Sequence, residues 1–144
     1  MSVTMKELVT EDEIIQAYPL MKQLRTHLSE ETYLELVLEA QPKEGYRLTA
    51  LYDDGVMTAV VGFQPMVTLY YGRFVWVSDL VTAEDRRSAG YGKKLLQSVE
   101  AWALNNGYDS IALSSGLQRS EAHRFYEEKM EYSKVSYVFR KQLP

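Results

Sequence analysis

The sequence predicts an α/β fold, with a mixed, mostly antiparallel central sheet of about six or seven strands flanked by four helices. Three observations carry this. Apolar residues recur at helical spacing in separate segments and at strand spacing in the stretches between them. An Asp54-Gly55 pair stands between two apolar runs, which is a hairpin signal. A glycine-bearing turn, Arg87-x-x-Gly90-x-Gly92, joins the apolar run Phe74 to Thr82 to the amphipathic segment Leu95 to Ala103, giving strand, turn and helix in that order.

Ser2 to Leu8 reads as a first strand. Thr10 then precedes Glu11-Asp12-Glu13, an N-cap followed by acidic residues in the first turn. Ile14, Tyr18, Met21, Leu24 and Leu28 recur every three or four residues, an amphipathic helix that Pro19 should kink or divide. Ser29 caps a second helix with Tyr33, Leu36, Val37 and Ala40 on one face, ended by Gln41-Pro42-Lys43-Glu44-Gly45. Strands follow over Tyr46 to Tyr52, Val56 to Gln64, Met66 to Tyr71 and Arg73 to Thr82. The helix after the glycine turn buries Leu95, Leu96, Val99, Trp102 and Ala103, and Asn105-Asn106-Gly107 stops it. Asp109 to Ser115 is a short buried strand, Arg119 to Met130 the last helix, and Ser133 to Leu143 a last strand or pair of strands.

Composition excludes several function classes. The 144 residues suit one domain, 1–144, with a single packed core. With 46% hydrophobic and 25% charged residues the chain is globular rather than disordered. The absence of cysteine removes disulfides, a thiolate nucleophile and Cys-based metal sites, and two distant histidines, His27 and His123, argue against a His-rich metal centre. A net charge of −4 with scattered Lys and Arg leaves no footprint for nucleic acid. The N-terminus lacks an apolar signal core, and the uncharged run Val56 to Gly72 is broken by Gly62, Gln64 and Pro65, so no membrane partner and a cytoplasmic location are expected.

The glycine turn is where chemistry concentrates. Free backbone N–H groups at a helix N-terminus point at an anion and the helix dipole favours negative charge there. Glycines keep side chains away from a diphosphate, and Arg87 and Lys93 add two cations. A Walker loop would need Gly at 87 and Ser or Thr at 94, where Arg87 and Lys94 stand. A dinucleotide fingerprint would need a small residue where Leu95 stands.

The segment from Asp79 to Gly92 resembles the acetyl-CoA motif of the GNAT N-acetyltransferase superfamily, and Ser114 to Tyr126 looks like its second motif, with Ala122 and Tyr126 in place. The family's usual Asn is Arg119 here, and its usual Gly-Phe is Glu131-Tyr132. The wording around Ala122-His123-Arg124-Phe125-Tyr126 is similar to that of aminoalkylphosphonate acetyltransferases. The resemblance implies a GNAT-like fold in which a splayed strand pair holds the cofactor. Backbone groups of Leu80, Val81 and Thr82 pair with pantetheine, and Arg87, Ser88, Ala89, Gly90, Tyr91, Gly92 and Lys93 surround the diphosphate. Arg119 and Tyr126 also face the cofactor.

The implied reaction is acetyl transfer from acetyl-CoA directly to an amine, since no cysteine is available to carry the acyl group. A primary amine has a pKa of roughly 10 and must lose a proton before it attacks. Asp79, in the central strand, is the candidate base, and Tyr126 the candidate acid for the departing thiolate. A strand edge left unpaired by a bulge is a ready ligand site, and its main-chain N–H groups can bind the thioester carbonyl and the oxyanion that develops from it. The acceptor wall draws on Arg25, Tyr33, Trp76 and His123, with Tyr70 and Tyr71 nearby, and no metal site. A small-molecule amine is the expected acceptor. The alternatives are a protein lysine or N-terminal amine, or a non-catalytic acyl-CoA-binding regulatory module. Unpaired edges of the late strands and of the meander make a homodimer an expected assembly.

Overall fold

The fold was analysed in a computed structural model that describes residues 2–87, 89–116 and 119–144. The chain falls into two compact units, residues 1–112 and 113–144.

In the first unit β1 (Val3–Glu7) is followed by α1 (Glu11–Gln16), α2 (Tyr18–Leu24) and α3 (Glu30–Glu44). Thr10 makes the expected N-cap, which Glu13 completes into a capping box, and Ser29 accepts from the Thr32 N–H, so both helix starts were legible from their caps. Pro19 divides the first helical stretch rather than kinking it: α1 ends at a cap on Ala17 and α2 begins with proline in its first turn. Pro42 does not end α3. The helix carries it in its last turn and stops at Gly45, whose φ of 70° is left-handed.

The meander is β2 (Arg47–Asp53), β3 (Val56–Thr68) and β4 (Gly72–Thr82), paired antiparallel. Asp54 and Gly55 both have positive φ, 51° and 83°, the backbone of a two-residue hairpin turn. The two strands expected on either side of Pro65 are one. Arg47, the first residue of β2, pairs with Phe63, so from Gln64 onward β3 has a partner on one side only, where a residue without N–H is tolerated.

Among the described residues the sheet order is β1-β2-β3-β4-β5, five strands instead of six or seven, and β5 (Ser110–Leu113) is half-buried rather than buried. Alternation sorts the two faces. Leu48, Ala50, Val60 and Val81 join Leu8, Ile14, Leu20, Met21 and Tyr33 under the N-terminal helices. On the opposite face α4 (Tyr91–Asn105) buries Leu95, Leu96, Val99 and Ala103, and its Trp102 meets Phe63 edge-on at 5.3 Å. Truncating Leu95 or Leu96 to Ala would cost about 2–5 kcal/mol.

In the second unit α5 (Ser120–Arg124) runs into a π-helical turn over Phe125–Lys129. The strand expected over 133–143 does not form. Its alternating Val135, Tyr137 and Phe139 are 68%, 70% and 93% exposed, and a strand pattern with no ladder partner stays irregular. Among the described residues five α-helices therefore replace the four expected, because proline split the first.

Candidate active site

A β-bulge in β4 creates the first part of the site. Gly62 pairs with Asp79 and Phe63 with Val77, leaving Ser78 as the extra residue. Arg25, at the end of α2, bridges this irregularity: its Nε donates to Asp79 Oδ1 at 3.0 Å and its Nη2 to the Ser78 carbonyl at 2.6 Å. The Tyr46 hydroxyl donates to Asp79 Oδ2 at 2.7 Å. Asp79 is thus held at both oxygens, with 15% of its side chain exposed. Tyr46 fits only because residue 62 is glycine; a Cβ there would overlap its hydroxyl.

These groups open on a cavity of about 420 Å³ within the first unit, lined largely by Met21, Leu28, Leu36, Val37 and the rings of Tyr33 and Tyr46. Burial, and then the Asp79 charge, push the phenols of both Tyr33 and Tyr46 well above the usual tyrosine range, so both are neutral donors. Tyr33 donates to the Ile14 carbonyl at 2.7 Å. Of the acceptor residues expected from sequence, Arg25 and Tyr33 line this cavity together with Asp79, whereas Trp76 does not. Tyr70 and Tyr71 pack on each other with centroids 4.6 Å apart, and Tyr71 packs on Phe74. Tyr46 and Ser78 were missed as site residues. Tyr46 read as an ordinary strand start, and no sequence period marks a bulge.

The second part is the turn ahead of α4. Gly90 is the N-cap with φ 84°, no side chain caps the helix, and a Cβ at Gly90 would meet nothing within 4 Å. The first ladder bond is Lys94 N–H to the Gly90 carbonyl at 3.1 Å, so the amides of Tyr91, Gly92 and Lys93 precede the ladder. Ala89, Gly90 and Lys93 are exposed. Arg87 is exposed as well, its Nε reaching back to the Thr82 carbonyl at 3.5 Å. Ser88 lies outside the described residues. Tyr91 is the first residue of α4, and its backbone N–H precedes the helix ladder. Its ring is buried and its hydroxyl donates to Asp53, at the end of β2, raising the phenol's pKa.

Leu80, Val81 and Thr82 pair with Val61, Val60 and Ala59 of β3. On the other side β5 is only four residues long and starts beside the beginning of β4, where the Asp109 N–H donates to the Arg73 carbonyl at 2.9 Å. Within the first unit β4 therefore outlasts β5 toward Thr82, leaving strand edge for an extended ligand. Diphosphate at the open helix N-terminus, with the arm along that edge, fits the acyl donor acetyl-CoA.

The second unit carries Arg119, His123 and Tyr126. The His123 N–H donates to the Arg119 carbonyl at 3.1 Å, and its ring Nε2 lies 2.8 Å from the Gly116 carbonyl. Burial raises the Tyr126 phenol, which the Arg119 charge partly offsets, so it is protonated at neutral pH. Phe125 and Tyr132 flank its ring at 5.3 and 6.1 Å. Among the described residues there is no cluster of three or more His, Asp or Glu able to hold a metal, and no helix is long and apolar enough to cross a membrane.

A helix start without a side-chain cap, after β4, and a separate cavity opening on Asp79 of β4 are the two places a two-substrate group-transfer enzyme needs. The chain belongs to the acetyltransferase (GNAT) family, whose model matches residues 10–132. It is 45% identical over 139 residues to the uncharacterized N-acetyltransferase YhdJ of Bacillus subtilis (strain 168), covering 96% of this chain and 98% of that one. Its fold is also that of AAC(6')-Iy in complex with the bisubstrate analog CoA-S-monomethyl-acetylneamine, with a TM-score of 0.85, 15% identity, and 100% and 99% of the two chains covered. A ribosomal-protein-alanine N-acetyltransferase from Brucella melitensis biovar Abortus 2308 matches with a TM-score of 0.80 at 18% identity, over 98% of this chain and 100% of that one. The protein is an acetyl-CoA-dependent acyltransferase of the N-acetyltransferase class.

Proposed function

We propose that the enzyme transfers acetyl directly to the primary amine of a small molecule received in the Asp79 cavity. The observation that carries this is one carboxylate, held by Arg25 and Tyr46, opening on a largely apolar cavity on the strand that leads to the Gly90 turn. Acetyl-CoA, when bound, supplies a thioester carbon open to attack. Ser88 to Lys93, with Arg87, hold its diphosphate, and the β4 edge at Leu80 to Thr82 aligns its arm. Asp79 retains free lone pairs and accepts a proton from the incoming ammonium, directly or through water. Tyr126, kept protonated by burial, gives its proton to the departing sulfur. Arg119 and His123 stand on the Tyr126 helix, supporting cofactor and acceptor respectively.

A regulatory module would have no use for the carboxylate, and a cavity of about 420 Å³ with a largely apolar lining around Asp79 supports a small-molecule acceptor. We place the enzyme in the cytoplasm as a homodimer, the assembly being tested by sedimentation. Release of free CoA across an amine panel, for wild type and Asp79→Asn, tests the activity. Amine-dependent release that falls roughly a hundredfold in the variant supports it. Equal release from both proteins removes Asp79 from the reaction.

A further inference from the structure

The wall of the cavity limits which amines it can take, an inference that rests on the acetyltransferase reading above. Among the described lining residues Asp79 is the only acid. Arg25 Nε stands 3.0 Å from one of its oxygens and the Tyr46 hydroxyl 2.7 Å from the other, so one guanidinium charge already faces its single carboxylate. Most of the remaining surface is aliphatic or aromatic, with His27 exposed beside it.

One ammonium can be received there, because a carboxylate accepts along about four lone-pair directions and Arg25 and Tyr46 use two. A second ammonium on the same molecule meets different conditions. It finds no other acid among the described lining residues, it is repelled by Arg25, and it sheds water against Met21, Leu28 and Val37, where Gln64 offers a neutral amide and no countercharge. At about 420 Å³ the space is also toward the small end for ligand cavities.

We propose that the acceptor is a monoamine: one ammonium on a compact apolar body, aliphatic or aromatic, with polycationic amines excluded. Leu36 is then a specificity-determining residue. It lines the cavity from α3 and is 50% exposed, so it can be exchanged without opening the core.

The experiment has two arms. In the first, kcat/KM is measured for hexylamine, phenethylamine, spermidine and kanamycin, with wild type and with Leu36→Glu, which adds a second acid at the cavity. The expected result is a preference of about tenfold or more for the two monoamines, narrowing in Leu36→Glu as spermidine gains. Equal or better use of spermidine or kanamycin by the wild type overturns the proposal. The second arm reads binding without turnover. Hexylamine should shift the methyl NMR signals of Met21, Leu36 and Val37 at concentrations where spermidine does not. Should no amine be acetylated, the catalytic reading fails by itself, and these shifts still decide the monoamine preference. Matching shifts from both amines, or none from hexylamine, overturn it.

Discussion

The Tyr91 hydroxyl donates to Asp53, tying the first residue of α4 to the last residue of β2. The bond reaches from the turn proposed to receive the diphosphate to the hairpin on the far side of β3. The other oxygen of Asp53 is buried and has no partner among the described residues. Tyr91→Phe would leave the whole carboxylate buried and unsatisfied, and unpaired buried acceptors are expensive. The expected outcome is a melting temperature lower by several degrees and a several-fold weaker acetyl-CoA affinity, read by thermal denaturation and calorimetry. Asp53→Asn paired with Tyr91→Phe, which removes the charge as well, should recover part of the stability.

Gly90→Val should act on the cofactor more than on the fold. The added side chain meets no protein atom, but φ of 84° is a left-handed conformation that costs an L-residue about 1–2 kcal/mol and is worse for a β-branched one. It would also stand where the diphosphate approaches. We expect a loss of acetyl-CoA affinity of tenfold or more, with a melting temperature lowered by a few degrees through the strained φ alone. Normal affinity by calorimetry would contradict the assignment of this turn.

Tyr126→Phe removes a phenol that burial keeps protonated. Loss of general-acid assistance lowers kcat by roughly a hundredfold while acetyl-CoA binding stays nearly intact. Steady-state kinetics together with calorimetry separate the two effects, and an unchanged kcat would take Tyr126 out of the proton path.

A pH-dependent part of the stability sits at α1. Lys6, 2.7 Å from Glu13 Oε2, and the N–H groups of Thr10 and Val9 hold the Glu13 carboxyl down to about 2 from an ordinary value of 4.5. A depressed carboxyl stabilises the fold above its unfolded pKa and loses that contribution as pH falls through the folded one. Glu13→Gln should therefore melt a few degrees below wild type near neutral pH. The difference should shrink between pH 4.5 and pH 2, followed by melting curves across that range.

What could be read from the sequence was local. Thr10 and Ser29 announced their helices because an N-cap bonds within three residues, Asp54-Gly55 announced a hairpin because only a few residues accept positive φ, and Gly90 announced a helix start. What could not be read was made by residues far apart. Tyr46 meets Asp79 across 33 positions, Arg25 meets it across 54, and Tyr91 meets Asp53 across 38. None of these contacts has a period. Arg25 was placed in the acceptor wall without its partner, and Tyr91 in the phosphate turn without the side-chain bond that anchors it. The opposite failure lies at the C-terminus. Val135, Tyr137 and Phe139 carry a strand pattern, and a pattern becomes a strand only when another strand supplies the ladder.

Gly62 governs a group it does not bond to. The space its missing side chain leaves on β3 is where the Tyr46 ring lies, and that ring fixes one oxygen of Asp79. Even alanine at 62 would displace the hydroxyl and set the carboxylate loose on one side. The orientation of the proposed base thus depends on an absent methyl, and position 62 can gain a side chain only where position 46 gives up its ring.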